Sequence, residues 1–385
     1  MKAVSTAFDE SAEADIKNIE VNYRGIFQKT LARKICKTVV YAANEEKKTG
    51  FSYGRYSDAP ERNGVPCKYF AVVAEMNEED LEAEAGAKVE PNDVNVSIVV
   101  DDTMAKGVEP WGFSGIRPIN EKVKPGGTLL VVSERRPLEL LKHVAKKDFS
   151  YKIAVVPGKH SFSGLWVYKD DFTDARVLGA LARIEPDIVS IEALRKVVPE
   201  KLGADKLDAL DDGYKSVIIK SIAPGEGIEW PYSIPTLPKW HEFKEGMVVK
   251  SVARGGRNED YKRFTTRTMR PVIRFDTCIK CDLCWYACPD ECFDQTPEGL
   301  FDVNYNYCVG CGRCAEVCPV PNTIVMVDEL KFENNDSPHH EYKENREAYI
   351  KWAEEKKGEK RVNYPFVTGT GLIEENVEEK VGERK

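Results

Sequence analysis

The chain has 385 residues, of which 42% are hydrophobic and 31% are charged. This length predicts two or three domains, and the apolar share excludes a chain that is disordered throughout. The net charge of −8 argues against nucleic acid as the main partner, because phosphate binding needs a concentrated positive surface. No stretch is long and apolar enough to span a membrane and no secretory signal begins the chain, so we expect a cytoplasmic protein without a membrane partner.

The first part of the chain predicts an α/β domain. Residues 1–16 are polar and are predicted to be flexible. From 17 to 220, short apolar strands alternate with amphipathic helices, which indicates a largely parallel sheet. The predicted strands cover 16–23, 68–75, 95–102, 128–133 and 151–157, and the predicted helices cover 30–48, 138–147, 174–184 and 190–198. The sequence KPGG at 124–127 predicts a turn.

A segment of different character follows at 221–270. It is rich in Pro and aromatic residues and predicts an extended linker. Between 254 and 274 it holds seven Arg or Lys against two acids. Two interpretations fit this charge: a solvated loop, or a segment that lies across a partner subunit or near anionic iron–sulfur clusters, for which the cysteines described next give the evidence.

Cysteine placement carries the strongest signal. Nine of the eleven cysteines lie between 278 and 318, and in a reducing compartment such crowding indicates metal rather than disulfides. The spacing C-x2-C-x2-C-x3-C occurs twice, followed by Pro289 and by Pro319. This repeat is typical of ferredoxins with two [4Fe–4S] clusters. Zinc sites use pairs of cysteines rather than such triplets.

The repeat also predicts which cysteines share a cluster. Three cysteines on a tight loop would bind one face of an iron–sulfur cube, and the fourth, which we expect to open a helix and point away, would bind the other cube. Cluster one is therefore assigned to Cys278, Cys281, Cys284 and Cys318, and cluster two to Cys308, Cys311, Cys314 and Cys288. Gly310 and Gly312 would let backbone N–H groups approach the inorganic sulfide. Residues 271–330 thus predict a small α+β two-cluster ferredoxin domain, with entering strands within 272–278 and 300–308.

Three cysteines and the C-terminal tail lie outside this pattern. Cys292, Cys36 and Cys67 are interpreted as small core residues, with a substitute-ligand role for Cys292 as the alternative.

The charged tail at 331–385 predicts one helix over 340–360. Its apolar residues would form a docking stripe, Tyr342, Tyr349, Ile350 and Trp352, or the tail would be a surface arm without fixed structure.

The α/β domain shows no catalytic motif in its sequence. It has neither a dinucleotide fingerprint nor a phosphate-binding lysine loop. Asp101 and Asp102 follow a predicted strand, where open sheets bind ligands, but a capping role fits them as well. The loop at 52–66, rich in Gly, Pro and charge, is of a kind that is functional or interfacial. We expect no catalytic residue on this chain.

Several stretches resemble a known family. Residues 52–75, 123–133 and 174–202 are similar to the gamma subunit of 2-oxoacid:ferredoxin oxidoreductases, and 270–291, including Trp285, resembles the delta subunit. The resemblance implies a fused gamma and delta subunit. It would relay electrons from oxidative decarboxylation, on α- and β-type partner chains that hold thiamine diphosphate and Mg, through its two [4Fe–4S] clusters to soluble ferredoxin. The alternative is an iron–sulfur subunit of a different multi-subunit oxidoreductase.

One departure from the family bears on the substrate. The gamma subunit usually has a glycine-rich loop after its first strand, and here only Arg24, Gly25 and Gln28 match it. With fewer glycines the backbone offers a weaker nest for a phosphate such as that of coenzyme A. Pyruvate is the default substrate that the resemblance implies, and oxalate, whose oxidation forms no acyl-CoA, is the alternative.

Overall fold

The computed structural model describes residues 15–55, 66–86, 90–108, 115–158, 171–233 and 264–357. Most of the predicted flexible N-terminus, of the loop at 52–66 and of the linker lies outside these ranges, as does the tail beyond 357. No helix within the described ranges is long and apolar enough to cross a membrane.

A seven-stranded sheet forms the centre of the N-terminal domain. Its strands are β1 (Lys17–Arg24), β2 (Thr49–Gly54), β3 (Pro66–Ala74), β4 (Val94–Val99), β5 (Val123–Ser133), β6 (Tyr151–Pro157) and β7 (Ile218–Ile222). They lie in the order β2-β3-β1-β4-β5-β6-β7. Strands β1, β4, β5 and β6 are parallel, while β2 and β3 at one edge and β7 at the other pair antiparallel. Every residue of β4 is buried, as expected for a strand covered on both faces. The predicted α/β class is confirmed.

Helices cover the sheet and complete its cores. The α-helices described in this domain are α1 (Gly25–Glu45), α2 (Glu78–Ala85), α3 (Pro137–Leu141), α4 (Thr173–Ile184), α5 (Ile191–Lys201) and α6 (Leu207–Ser216). Helices α1, α4, α5 and α6 pack on one face and form the largest apolar core with it. A second core on the opposite face includes Leu140 from α3 and also Leu330 from the C-terminal part of the chain.

Three local predictions differ from the structure. The turn predicted at 124–127 is wrong, because this stretch continues β5 through a register shift in its pairing with β4. The helix predicted at 138–147 ends at Leu141, since Ala145 instead bridges to Ile228 and accepts a hydrogen bond from Asn120. Helices α2 and α6 and strands β2 and β7 were not predicted, because their apolar patterns are short or mixed with charge.

The C-terminal module has two similar halves. Its strands are β8 (Met269–Ile273), β9 (Phe293–Gln295), β10 (Phe301–Val303) and β11 (Ile324–Asp328), and its short helices are α7 (Leu283–Tyr286) and α8 (Arg313–Val317). Each half runs strand, cysteine loop, helix, strand. The halves are interlocked, because β8 pairs antiparallel with β11 and β9 pairs antiparallel with β10.

The tail packs on this module up to residue 357. It forms two helices, α9 (Pro338–Glu344) and α10 (Arg346–Lys357), so the prediction of one helix over 340–360 is wrong. Asn345 ends α9 with the non-helical angles φ −148° and ψ 89°. Tyr349 is buried, and its hydroxyl donates a hydrogen bond to the carbonyl of Ile273 at 3.0 Å. The predicted aromatic stripe therefore docks on the chain's own module.

Candidate iron–sulfur site

Two cavities in the C-terminal module are lined by cysteines. Cavity one is lined by Cys278, Cys281, Cys284 and Cys318, and cavity two by Cys288, Cys308, Cys311 and Cys314 together with Cys292. Apolar side chains complete both walls, among them Ile273 and Phe301 in cavity one and Phe293 in cavity two. Apart from Cys292, these are the two sets that the sequence predicts for the two clusters. Their role as iron ligands remains a prediction.

The interlocked strands explain why the sets cross between the halves. Cys318 precedes β11, and the pairing of β11 with β8 brings it to the loop that follows β8. Cys288 precedes β9, and the pairing of β9 with β10 brings it to the loop that follows β10. Four thiolates around a space in an apolar surrounding suit a four-iron cube. The residues present therefore fit the implied cofactor.

The two cysteine loops share one backbone conformation. Lys280 and Asp282 in the first loop have φ of 58° and 63°, and the equivalent Gly310 and Gly312 have φ of 71° and 78°. Left-handed residues favour a concave turn of successive backbone N–H groups, and in the second loop the N–H of Gly310 bonds Sγ of Cys308. The expectation that the fourth cysteine opens a helix is wrong. Helices α7 and α8 begin before the third cysteine, and Cys318 directly follows the last residue of α8.

Cavity two has N–H donors to sulfur. The backbone N–H of Gly310 donates to Sγ of Cys308 at 3.4 Å, and that of Cys292 donates to Sγ of Cys288 at 3.3 Å. The hydrogen bonds from Cys292 lower the pKa of Cys288 to about 6 against the effect of burial. In cavity one, the pKa of Cys284 is raised to about 12, mainly by burial and to a smaller extent by the neighbouring Cys278. Metal binding would displace the proton from such a thiol.

The three remaining cysteines are buried. Cys36 and Cys67 lie in the core of the α/β domain, as predicted for small apolar residues. Burial raises the pKa of Cys36. Cys292 lines cavity two beside Cys288 and Cys308. Its position next to two predicted ligands is not visible from spacing alone.

A buried ion group stands beside cavity two, and sequence reasoning missed most of it. We call it the Glu329 group: Glu329 with Arg267, Arg270 and Lys106. The Arg267 guanidinium binds both carboxylate oxygens of Glu329, at 2.6 and 2.8 Å, and donates to the carbonyl of Cys308 at 3.1 Å. Both arginines belong to the basic segment at 254–274. Both are buried, so the solvated-loop interpretation is wrong for them, and their closeness to an anionic cluster stays a prediction.

The same group joins the two parts of the chain. Lys106 of the α/β domain binds the carboxylate of Glu329 at 3.1 Å and its carbonyl at 2.8 Å. Arg135 bridges Asp102 and Asp328 at 2.6 and 2.8 Å. Asp102 is therefore paired with Arg135 at the boundary between the α/β domain and the C-terminal module.

The neighbouring loop residues also have structural roles. Asp101 caps a short 3-10 helix by accepting the N–H of Thr103 at 3.0 Å, as the capping interpretation predicts. Arg24, from the loop compared with the glycine-rich family loop, is buried, pairs with Asp101 at 3.4 Å and donates to the carbonyl of Thr265. Both residues thus hold the end of the linker against the sheet.

Comparison with known proteins supports the prediction of an iron–sulfur module. Residues 271–326 match the family described as 4Fe-4S dicluster domain. Pyruvate synthase subunit PorD of Thermotoga maritima is 38% identical over 97 residues, which cover 25% of this chain and 94% of that protein. The PorD subunit of Methanocaldococcus jannaschii is 40% identical over 70 residues, 18% of this chain and 80% of that protein. Pyruvate oxidoreductase subunit PORC of Thermotoga maritima is similar in structure over 54% of this chain and 99% of its own, at 21% identity and a TM-score of 0.37.

Fold and site define an iron–sulfur protein in which a dicluster ferredoxin module is joined to an α/β domain. More particularly, the chain belongs to the family of PorD-type subunits of 2-oxoacid oxidoreductases, since it spans nearly the whole of such a subunit at 38% identity.

Proposed function

We propose that this chain is the fused gamma and delta subunit of a 2-oxoacid:ferredoxin oxidoreductase. Its α- and β-type partner chains oxidise the 2-oxoacid at thiamine diphosphate and Mg. The two electrons of each turnover pass through the iron–sulfur module of this chain to soluble ferredoxin in the cytoplasm. Pyruvate is the first substrate to test, because it is the default that the resemblance implies. Oxalate is the second, because the loop at Arg24 has fewer glycines than a phosphate nest would use.

The observation that carries the proposal is that each of the two cavities gathers one predicted set of four cysteines from both halves of the module. Cys278, Cys281, Cys284 and Cys318 would hold cluster one, and Cys288, Cys308, Cys311 and Cys314 would hold cluster two. The clusters would supply reversible one-electron chemistry. The protein residues place the thiolates, exclude water with apolar walls and donate N–H hydrogen bonds to sulfur, which together set the reduction potential.

Exposed apolar side chains in the loop of cavity one and in α7 favour this cavity as the exit for electrons. Ile279, Leu283, Trp285 and Tyr286 all lie in its loop and in α7, and Tyr286 is 73% exposed. Apolar residues concentrated at one surface indicate a protein contact. We propose that soluble ferredoxin docks here, since electrons leaving cluster one would cross the smallest thickness of protein at Cys281, which is exposed.

The cluster assignment is tested with Cys314→Ala in the complete complex. Cys314 is buried and would bind only cluster two. We expect iron to fall from about eight to about four per chain and ferredoxin reduction to be lost, while decarboxylation on the partner chains survives. Cys36→Ala, which removes a buried thiol from the α/β core, is the matched control and should keep all iron. Full ferredoxin reduction by Cys314→Ala would contradict the proposed path of the electrons through cluster two.

The exit is tested with Tyr286→Ser. We expect a higher KM for ferredoxin and an unchanged rate with a small viologen acceptor, because only a protein acceptor needs the apolar surface. Leu138→Ser, at a side chain 56% exposed on α3, is the control for loss of an exposed apolar residue. If Tyr286→Ser instead releases the partner chains during purification, this surface belongs to the subunit interface and the exit lies elsewhere.

A further inference from the structure

The Glu329 group holds more positive than negative charge in the protein interior. Arg267 and Arg270 are nearly inaccessible to solvent, and Lys106 is 14% exposed. All three bind the single carboxylate of Glu329. Asp102 and Asp328, at the same boundary, are paired with Arg135, and Glu341 acts on Arg270 from an exposed position.

This charge lies against cluster loop two. The Arg267 guanidinium donates to the carbonyls of Tyr305 and Cys308 at 2.5 and 3.1 Å. Its aliphatic part packs so closely on Gly310 that a Cβ there would lie 2.6 Å from Cγ of Arg267. Gly310 itself donates its N–H to the sulfur of Cys308. Arg267 thus contacts the backbone that carries one predicted ligand of cluster two.

The equivalent place in loop one is different. Lys280 occupies the position that Gly310 holds in loop two. Its ammonium group donates to the carbonyl of Glu298 at 2.5 Å at an exposed site. Water screens a charge at such a site, whereas a buried charge acts at a lower effective dielectric. The internal repeat is therefore symmetric in its predicted ligands and asymmetric in the charge behind them.

Reduction of a cysteine-ligated cluster by one electron makes it more negative by one unit, and a nearby buried cation stabilises that state. We propose that the Glu329 group raises the reduction potential of cluster two and that the α/β domain adjusts this potential through Lys106. Lys106 is then a positioning residue for electron transfer, located on a domain that holds none of the predicted iron ligands. The inference rests on the proposed ligand set of cluster two.

The test is a redox titration of the intact complex with dithionite, followed by electron paramagnetic resonance of each cluster. Lys106→Met removes one positive charge and leaves the arginine pairs with Glu329 in place. We expect the ratio of reduced to oxidised cluster two at a fixed potential to fall on the order of tenfold, about 59 mV for a one-electron couple. Glu329→Gln removes the negative charge and should move the ratio in the opposite direction. Cluster one should change little in either variant.

Lys48→Met is the matched control. Lys48 is 12% exposed, binds Glu46 at 3.0 Å and donates to the carbonyl of Asp187 at 2.6 Å, so it resembles Lys106 in burial and partners. Its contacts lie within the α/β domain, and its loss should leave both potentials unchanged. Lys106→Arg, which keeps the charge, should retain the potential of the natural chain.

The outcomes separate this inference from the proposed function. An iron content below about eight per natural chain would contradict the ligand assignment on which the proposed function depends. With that iron present, shifts of equal sign in Lys106→Met and Glu329→Gln, or no shift in either, would overturn the tuning role. Loss of cluster two from Lys106→Met but not from Lys106→Arg would also overturn it, because Lys106 would then retain the cluster rather than set its potential.

Discussion

Replacing Gly310 by Ala should remove cluster two and leave cluster one in place. Gly310 has φ +71°, and a methyl group there would overlap the carbonyl oxygen of Met269 and lie 2.6 Å from Cγ of Arg267. Ordinary carbon contacts are about 3.5 Å, so the loop must move by about 1 Å. A functional group tolerates only about 0.5 Å of displacement. Because Met269 begins β8 and Arg267 is fixed by Glu329, the loop has to move rather than its neighbours.

Gly299→Ala provides the control for this prediction. Gly299 has φ +74°, nearly the same as Gly310, but a Cβ there would meet only Cδ of Lys280 at 3.7 Å. Both variants carry the cost of a left-handed alanine, about 1–2 kcal/mol, and only Gly310→Ala adds the overlap. Iron analysis should give about eight irons per chain for Gly299→Ala and about four for Gly310→Ala. Eight irons in Gly310→Ala would refute the steric reasoning.

Three further outcomes follow from single side chains. Burial raises the pKa of Glu90, but the cations Lys68, Arg55 and Lys122 together outweigh burial, and the pKa falls from 4.5 to about 2. Glu90→Gln should therefore lower the free energy of unfolding at pH 7 by up to about 3 kcal/mol. In urea titrations this deficit should shrink as the pH falls below 4.5, toward 2. Cys292→Ala should keep about eight irons, and a fall to about four would make Cys292 a ligand. Tyr349→Phe should lower the free energy of unfolding, measured by chemical denaturation, by about 1 kcal/mol, because the Ile273 carbonyl stays buried without the hydroxyl that donates to it.

The cysteine sets could be predicted from sequence because the ligand pattern repeats within a short segment. A spacing fixed by the size of the cube leaves little freedom, and the crossing of Cys288 and Cys318 follows from the same motif. The alternating strands of the α/β domain were predictable for a similar reason, since strands buried on both faces are continuous apolar runs. Edge strand β2, whose residues are all only partly buried, lacks that signal.

The ion group beside cavity two could not be predicted. Lys106, Arg267 and Glu329 are separated by 223 residues at the extremes, and each occurs among other charged residues in the sequence. Nothing local distinguishes a buried arginine from a solvated one. The short helix that ends at Leu141 shows the same limit, because a tertiary contact to Ile228 overrides the local pattern.

The boundary between the two parts of the chain uses ion pairs where an apolar contact would also have served. Lys106 and Arg135 from the α/β domain bind Glu329 and Asp328, at the end of β11. Buried pairs of this kind add little net stability, because removing the charges from water offsets most of their attraction. What they do fix is register, since a guanidinium or ammonium group has few acceptable positions around a carboxylate. A charge held at a fixed place beside cluster two is what a defined reduction potential requires. An apolar boundary of equal stability would lack that charge, and on this reasoning Lys106→Met should disturb electron transfer more than it disturbs folding.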